Sequence, residues 1–193
     1  MRRLLLVLGT VALVAVVVIG LAQAGGSRDE DQPTTFDLEQ AQQRLTGAPA
    51  PLASLYEQPN TILDGGLEAF EARLDSLDGT PAVINKWASW CRPCRAEFPI
   101  FQQVATERGT EIAFLGVNAG DKRPAAEDFL AERPLPYPSY EDPDEEIARE
   151  LDAAKFFPMT IFRDAQGGTF VKAGEYTSRA ELEADIDRYL GGT

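Results

Sequence analysis

The chain has 193 residues, with 18 lysines and arginines against 31 aspartates and glutamates, a formal net charge of -13. That balance gives nucleic-acid binding no support and describes a soluble, self-repelling surface. With no histidine and only two cysteines, a Ser-His-Asp hydrolase, a Cys-His protease and any imidazole-based zinc site are excluded, and no metal or cofactor is expected.

Arg2 and Arg3 precede Leu4 to Leu21, 18 residues without a charge or a proline. Such a run is just long enough to cross a hydrocarbon core as a helix, and the arginines favour a cytoplasmic N-terminus. Residues 1–24 are therefore expected to be a transmembrane anchor. Ala22-Gln23-Ala24 also fits a signal-peptidase pattern, so cleavage after Ala24 is the alternative, and either outcome exports the rest of the chain. The anchor is favoured because the apolar run exceeds the usual length in a cleaved signal.

Residues 25–59, rich in Gly, Pro, Gln, Ala and charge, read as an extracytoplasmic linker. Phe36, Leu38, Leu45, Leu52, Leu55 and Tyr56 could pack locally on the domain, which is expected over residues 60–193.

Within that domain Leu67, Phe70, Leu74 and Leu77 recur at helical spacing, and Ala82 to Trp87 is a short apolar run that reads as a strand. Phe98, Phe101 and Val104 mark a helix interrupted by Pro99, and Ile112 to Val117 is a buried strand. Pro124 to Glu132 predicts a helix with Phe129 and Leu130 inward, followed by a proline-broken segment and a short helix bearing Ile147 and Leu151. Met159 to Arg163 and Thr169 to Ala173 flank a turn-rich loop and predict an antiparallel hairpin. A final helix begins at a capping box of Ser178 and Glu181, buries Leu182, Ile186, Tyr189 and Leu190, and stops at Gly191-Gly192. Strands interleaved with helices, closed by a hairpin, predict an α/β fold: a mixed central β-sheet with helices on both faces.

The chemistry concentrates in Trp87-Ala88-Ser89-Trp90-Cys91-Arg92-Pro93-Cys94, where two cysteines stand three apart at the passage from strand to helix. Unpaired N–H groups and the macrodipole at a helix start stabilise an anion, so Cys91 ionises more readily than a free thiol, and Arg92 pushes the same way. Pro93 needs no donor there and fixes a helix-compatible backbone. Cys91 is then the exposed attacking thiolate and Cys94 the resolving thiol. A purely structural disulfide is the competing reading, but so short a loop constrains the unfolded chain little. A half zinc knuckle would need ligands from another chain.

The stretch Trp87 to Pro99, WASWCRPCRAEFP, resembles the active-site motif of membrane-anchored thioredoxin-like disulfide reductases of the TlpA/ResA type. The resemblance extends more loosely over residues 60 to 192, implies the thioredoxin fold, and fits the N-terminal anchor. It implies that Pro158, in Phe157-Pro158-Met159-Thr160, is a cis proline beside the cysteines that keeps a backbone edge open for a substrate. It also implies that Glu97 tunes the cysteines and moves protons. Trp90 would offer an apolar docking surface, flanked by Arg92 and Pro93, whereas Trp87 reads as core. Cytoplasmic thioredoxins carry a buried acid six residues before the first cysteine; Asn85 stands there here, which throws proton handling onto Glu97.

The function so implied is reduction of disulfides in exported proteins, with apocytochrome c among the substrates of relatives and a membrane thiol-transferring protein as electron donor. The Arg-Pro dipeptide does not place the pair on the redox scale, so an oxidant that installs disulfides is the neighbouring alternative. A copper-binding assembly factor, disfavoured without histidine, and a non-catalytic substrate-binding module complete the set. A monomer is the simplest expectation.

Overall fold

A computed structural model describes residues 36 to 191, Asp78 excepted. The segment expected to cross a membrane therefore lies outside the described residues, as do residues 25–35 of the linker. No helix among the described residues is long and apolar enough to cross a membrane.

The compact unit begins at Phe36, upstream of the boundary expected at residue 60. Two helices, α1 (Leu38–Leu45) and α2 (Ala50–Tyr56), occupy the stretch read as linker. The Asp37 side chain caps α1 by accepting the Gln40 N–H at 2.9 Å, and Ala41, Leu45, Leu52 and Leu55 are buried. The Tyr56 hydroxyl donates to the Ile112 carbonyl at 2.9 Å, and Gly109 leaves room for this packing. A Cβ there would come within 2.5 Å of Leu45 and 2.9 Å of the Tyr56 hydroxyl. The composition suggested a tether, but Leu45, Leu52, Leu55 and Tyr56, which the sequence marked as able to pack on the domain, are buried, and that burial outweighs the poor helix propensity around Pro49 and Pro51.

The remaining elements are β1 (Ile62–Leu63), α3 (Gly66–Ser76), β2 (Ala82–Trp87), α4 (Arg92–Arg108), β3 (Ala113–Ala119), α5 (Arg123–Glu132), β4 (Ser139–Asp142), α6 (Glu146–Glu150), β5 (Met159–Arg163), β6 (Thr169–Ala173) and α7 (Arg179–Leu190). One mixed sheet runs in the order β1-β4-β3-β2-β5-β6. Strands β1, β4, β3 and β2 pair in parallel, and β5 and β6 close it as the antiparallel hairpin the sequence predicts.

Strand β2 lies inside the sheet, and every one of its residues is buried. Neighbouring side chains in a strand point to opposite faces. Trp87 meets Phe98 of α4 at 5.1 Å between ring centres, while Lys86 reaches Glu145 at the start of α6. Helices α4 and α6 thus cover opposite faces, as the α/β reading requires.

Three local expectations are corrected. Helix α4 runs unbroken through Pro99, held by the buried Phe98, Phe101 and Val104. Strand β4 sits inside the segment read as merely proline-broken; it follows Pro138 directly and pairs with both β1 and β3. Its four residues, SYED, are too few to display a period. The two-residue β1 escaped notice for the same reason.

Candidate active site

The buried strand β2 ends at Trp87, and Ala88-Ser89-Trp90 turns the chain so that Cys91 becomes the N-cap of the 17-residue helix α4. The Asp121 carboxylate fastens this turn. It accepts the Ser89 N–H at 2.5 Å, the Ser89 hydroxyl at 2.9 Å and the Asn118 amide at 3.0 Å.

Cys91 and Cys94 form a disulfide across a Cα–Cα distance of 5.3 Å. The Cys91 sulfur also accepts the backbone N–H of Cys94 at 3.2 Å. A sulfur at an N-cap takes one of the orphan donors of the first turn, and the same donor would stabilise it as a thiolate. Pro93 lies in that first turn, as its missing N–H suggests. The expectation of an exposed Cys91 is corrected for the oxidised state: Cys91 is only 3% exposed and Cys94 wholly buried. As N-cap, Cys91 directs its sulfur inward over the first turn towards Cys94.

Pro158 immediately precedes β5, whose first residue Met159 pairs with Lys86 near the end of β2. It therefore lies at the end of the sheet from which the cysteines emerge, and the Phe157-Pro158 peptide is cis. Trp90 is 59% exposed. Its indole N–H donates to the Gly120 carbonyl at 3.0 Å, and its ring packs 4.9 Å from that of Phe157. Arg92 is exposed, and with Pro93, Ala96 and Glu175 it lines an open depression.

Glu97 follows Cys94 by three residues, so the two side chains share a helix face at about 5–6 Å between Cβ atoms. Glu97 is fully buried. One carboxylate oxygen accepts the Asn85 amide at 2.8 Å and the other the Tyr176 N–H at 3.0 Å. Burial pushes this carboxyl from its ordinary 4.5 up to about 7, against the opposing pull of the two hydrogen bonds and Lys172. It is thus poised to exchange a proton near neutrality. Around it, Asn85 Oδ1, the Thr160 hydroxyl and the Tyr137 hydroxyl find no hydrogen-bond partner among the described residues. Thr160 stands directly across from Asn85 in the β2–β5 register. Burial first, and then the Glu97 charge, raise the Tyr137 hydroxyl well above its usual value.

Trp90, Cys91, Arg92, Pro93, Cys94 and Glu97 thus lie between the end of β2 and the second turn of α4, and Pro158 stands at the same end of the neighbouring β5. Three contributors were missed. Tyr176 acts through its backbone N–H, which no sequence motif reveals. Asp121 gathers the Ser89 turn from 32 residues away. Lys86 carried the one legible signal, a lysine within a strand otherwise fit for burial, where lysine is almost never found without a partner.

The chain matches the AhpC/TSA family over residues 47–168. It is 33% identical to the thiol:disulfide interchange protein HelX of Rhodobacter capsulatus, over 66% of this chain and 71% of that one. It is 26% identical to the thiol-disulfide oxidoreductase ResA of Geobacillus kaustophilus, over 64% of this chain and 69% of that one. Among solved structures, MTB DsbF in its mixed oxidized and reduced forms superposes with a TM-score of 0.55 at 31% identity, covering 60% of this chain and 84% of DsbF.

Proposed function

Since this chain belongs to the AhpC/TSA family and is a thiol-disulfide oxidoreductase, as its relatives are named, we propose that it works as a reductase of disulfides in exported proteins. The observation that carries the reading is a redox pair at a helix N-terminus with a buried carboxyl one turn further on, titrating at about 7.

The reduced Cys91 thiolate attacks a substrate disulfide, forming a Cys91–substrate bond while the other substrate sulfur leaves with the displaced electron pair. Glu97 takes the Cys94 proton, and Cys94 attacks the Cys91 sulfur. The Cys91–Cys94 bond forms, the second substrate sulfur departs and picks up a proton, and two electrons have passed to the substrate. A membrane dithiol donor then restores the pair. The exposed Trp90 ring and the main-chain edge at Pro158 hold the substrate segment, with Arg92 and Pro93 bordering it. Apocytochrome c is a fitting substrate. The N-terminal anchor over residues 1–24, supported by Arg2, Arg3 and the apolar run after them, keeps the domain outside the cytoplasm.

The test is the reduction potential of the full chain, equilibrated in thiol buffers with free thiols counted by alkylation. A value at or below about -270 mV supports the reductase, whereas one near about -120 mV makes the protein an oxidant. A pair that never exchanges would leave only a structural disulfide.

A further inference from the structure

Lys86 has no exposed surface, yet it lies in β2, two residues after the aliphatic run Ala82-Val83-Ile84 and five before Cys91. A leucine would meet the need for burial there at less cost, because a lysine must find a partner for every donor it takes out of water. Lys86 does so. Its Nζ donates to Glu145 at 2.8 Å, to the Ala153 carbonyl at 3.0 Å and to the Phe156 carbonyl at 3.3 Å, and stands 3.6 Å from the centre of the Phe157 ring.

Two of those acceptors and the ring belong to residues 153–157, a segment with neither helix nor strand that leads straight into Pro158. Without the lysine, nothing else among the described residues donates a hydrogen bond to the Ala153 or Phe156 carbonyl. The Phe157 ring that Lys86 holds is also the one packed against Trp90. A single side chain therefore joins the strand that delivers Cys91 to the segment that delivers the opposite wall of the site.

We propose that Lys86 is a positioning residue for substrate engagement, fixing residues 153–157 so that the Pro158 edge and the Trp90–Phe157 pair stand ready beside Cys91. This rests on the reading that the chain exchanges disulfides with a protein substrate. A misplaced docking wall weakens the hold on a large substrate while leaving the sulfur chemistry itself intact.

The experiment compares the full chain with Lys86→Met and Glu145→Ala. The readouts are steady-state reduction of insulin disulfides, the rate of exchange with dithiothreitol, and the equilibrium constant with glutathione. For Lys86→Met the expected result is a KM for insulin raised about tenfold, with kcat, the dithiothreitol rate and the glutathione equilibrium each within about twofold. Glu145→Ala, which leaves the lysine one acceptor short but keeps both carbonyl bonds, should raise KM about threefold and serves alone if Lys86→Met does not fold. An unchanged KM in a folded variant overturns the proposal, as does a loss shared equally by insulin and dithiothreitol. Failure of the unsubstituted chain to reduce insulin at all would instead bring down the reductase reading beneath it.

Discussion

Strand β2 buries polar groups on both of its faces, and the two clusters are built differently. On the α6 face every donor of Lys86 has its acceptor, two of them main-chain carbonyls. On the α4 face Glu97 is held by Asn85 and Tyr176, while Asn85 Oδ1 and the Thr160 and Tyr137 hydroxyls are unmatched among the described residues. A saturated cluster has one low-energy arrangement and stiffens what it touches. An unsaturated one tolerates a change of protonation, because gaining or losing a proton does not break a completed network. On the reading proposed here, rigidity and proton transfer are separated by a single residue step along one strand, from Lys86 to Asn85.

The comparison can be broken at its centre or sharpened at its edges. Cys91→Ser removes the attacking sulfur and should abolish insulin reduction altogether, with the fold retained by circular dichroism. Glu97→Gln should slow turnover about a hundredfold, the scale of a lost general acid or base, and erase the limb of the pH–rate profile near 7. It should also change the stability profile. The carboxyl titrates at about 7 when folded against 4.5 ordinarily, so the folded state binds the proton more tightly. Its contribution is complete below pH 4.5 and is lost as the pH rises to about 7, a fall on the order of 3 kcal/mol. Denaturant midpoints taken between pH 4 and 8 should follow that slope in the unsubstituted chain and lack it in Glu97→Gln.

Lys86→Met should act in the opposite way, costing about 3 kcal/mol of stability through the broken ion pair and the stranded carbonyls while sparing exchange with a small dithiol. If Lys86→Met slowed dithiothreitol exchange more than Glu97→Gln did, the division between the faces would be wrong. The smallest effect belongs to Thr160→Val, which replaces an unmatched hydroxyl by a methyl of the same shape. Stability should be unchanged or rise by up to about 1 kcal/mol. A loss larger than that would mean the hydroxyl has a partner and the α4 face is as saturated as the other.

The parts of this arrangement legible in the sequence are those encoded by short spacing. Cys91 and Cys94 three apart after a strand and the hairpin of β5 and β6 rest on spacing within a few residues, whereas Glu97 is marked by the family resemblance and is held by Asn85 and Tyr176, 12 and 79 residues away. What escaped depends on distance along the chain. Lys86 meets partners 59, 67 and 70 residues away, and the hold of Tyr56 on Ile112 spans 56. Strand β1 is defined by its pairing with β4, and β4 by its pairing with β1 and β3; both are too short to carry a pattern of their own.

The close approach at Gly109 bears on where the chain can be cut. A fragment begun at residue 60 would strip Leu45, Leu52 and Leu55 from the interior, forgoing on the order of 5 kcal/mol of apolar burial, a sum comparable to the whole stability of many domains. The bare glycine and the apolar floor around it would then face water as a sticky patch. A fragment begun at Phe36 keeps its own lid, and a protease that nicks the chain between α2 and β1 should leave two pieces that stay together until denaturant is added.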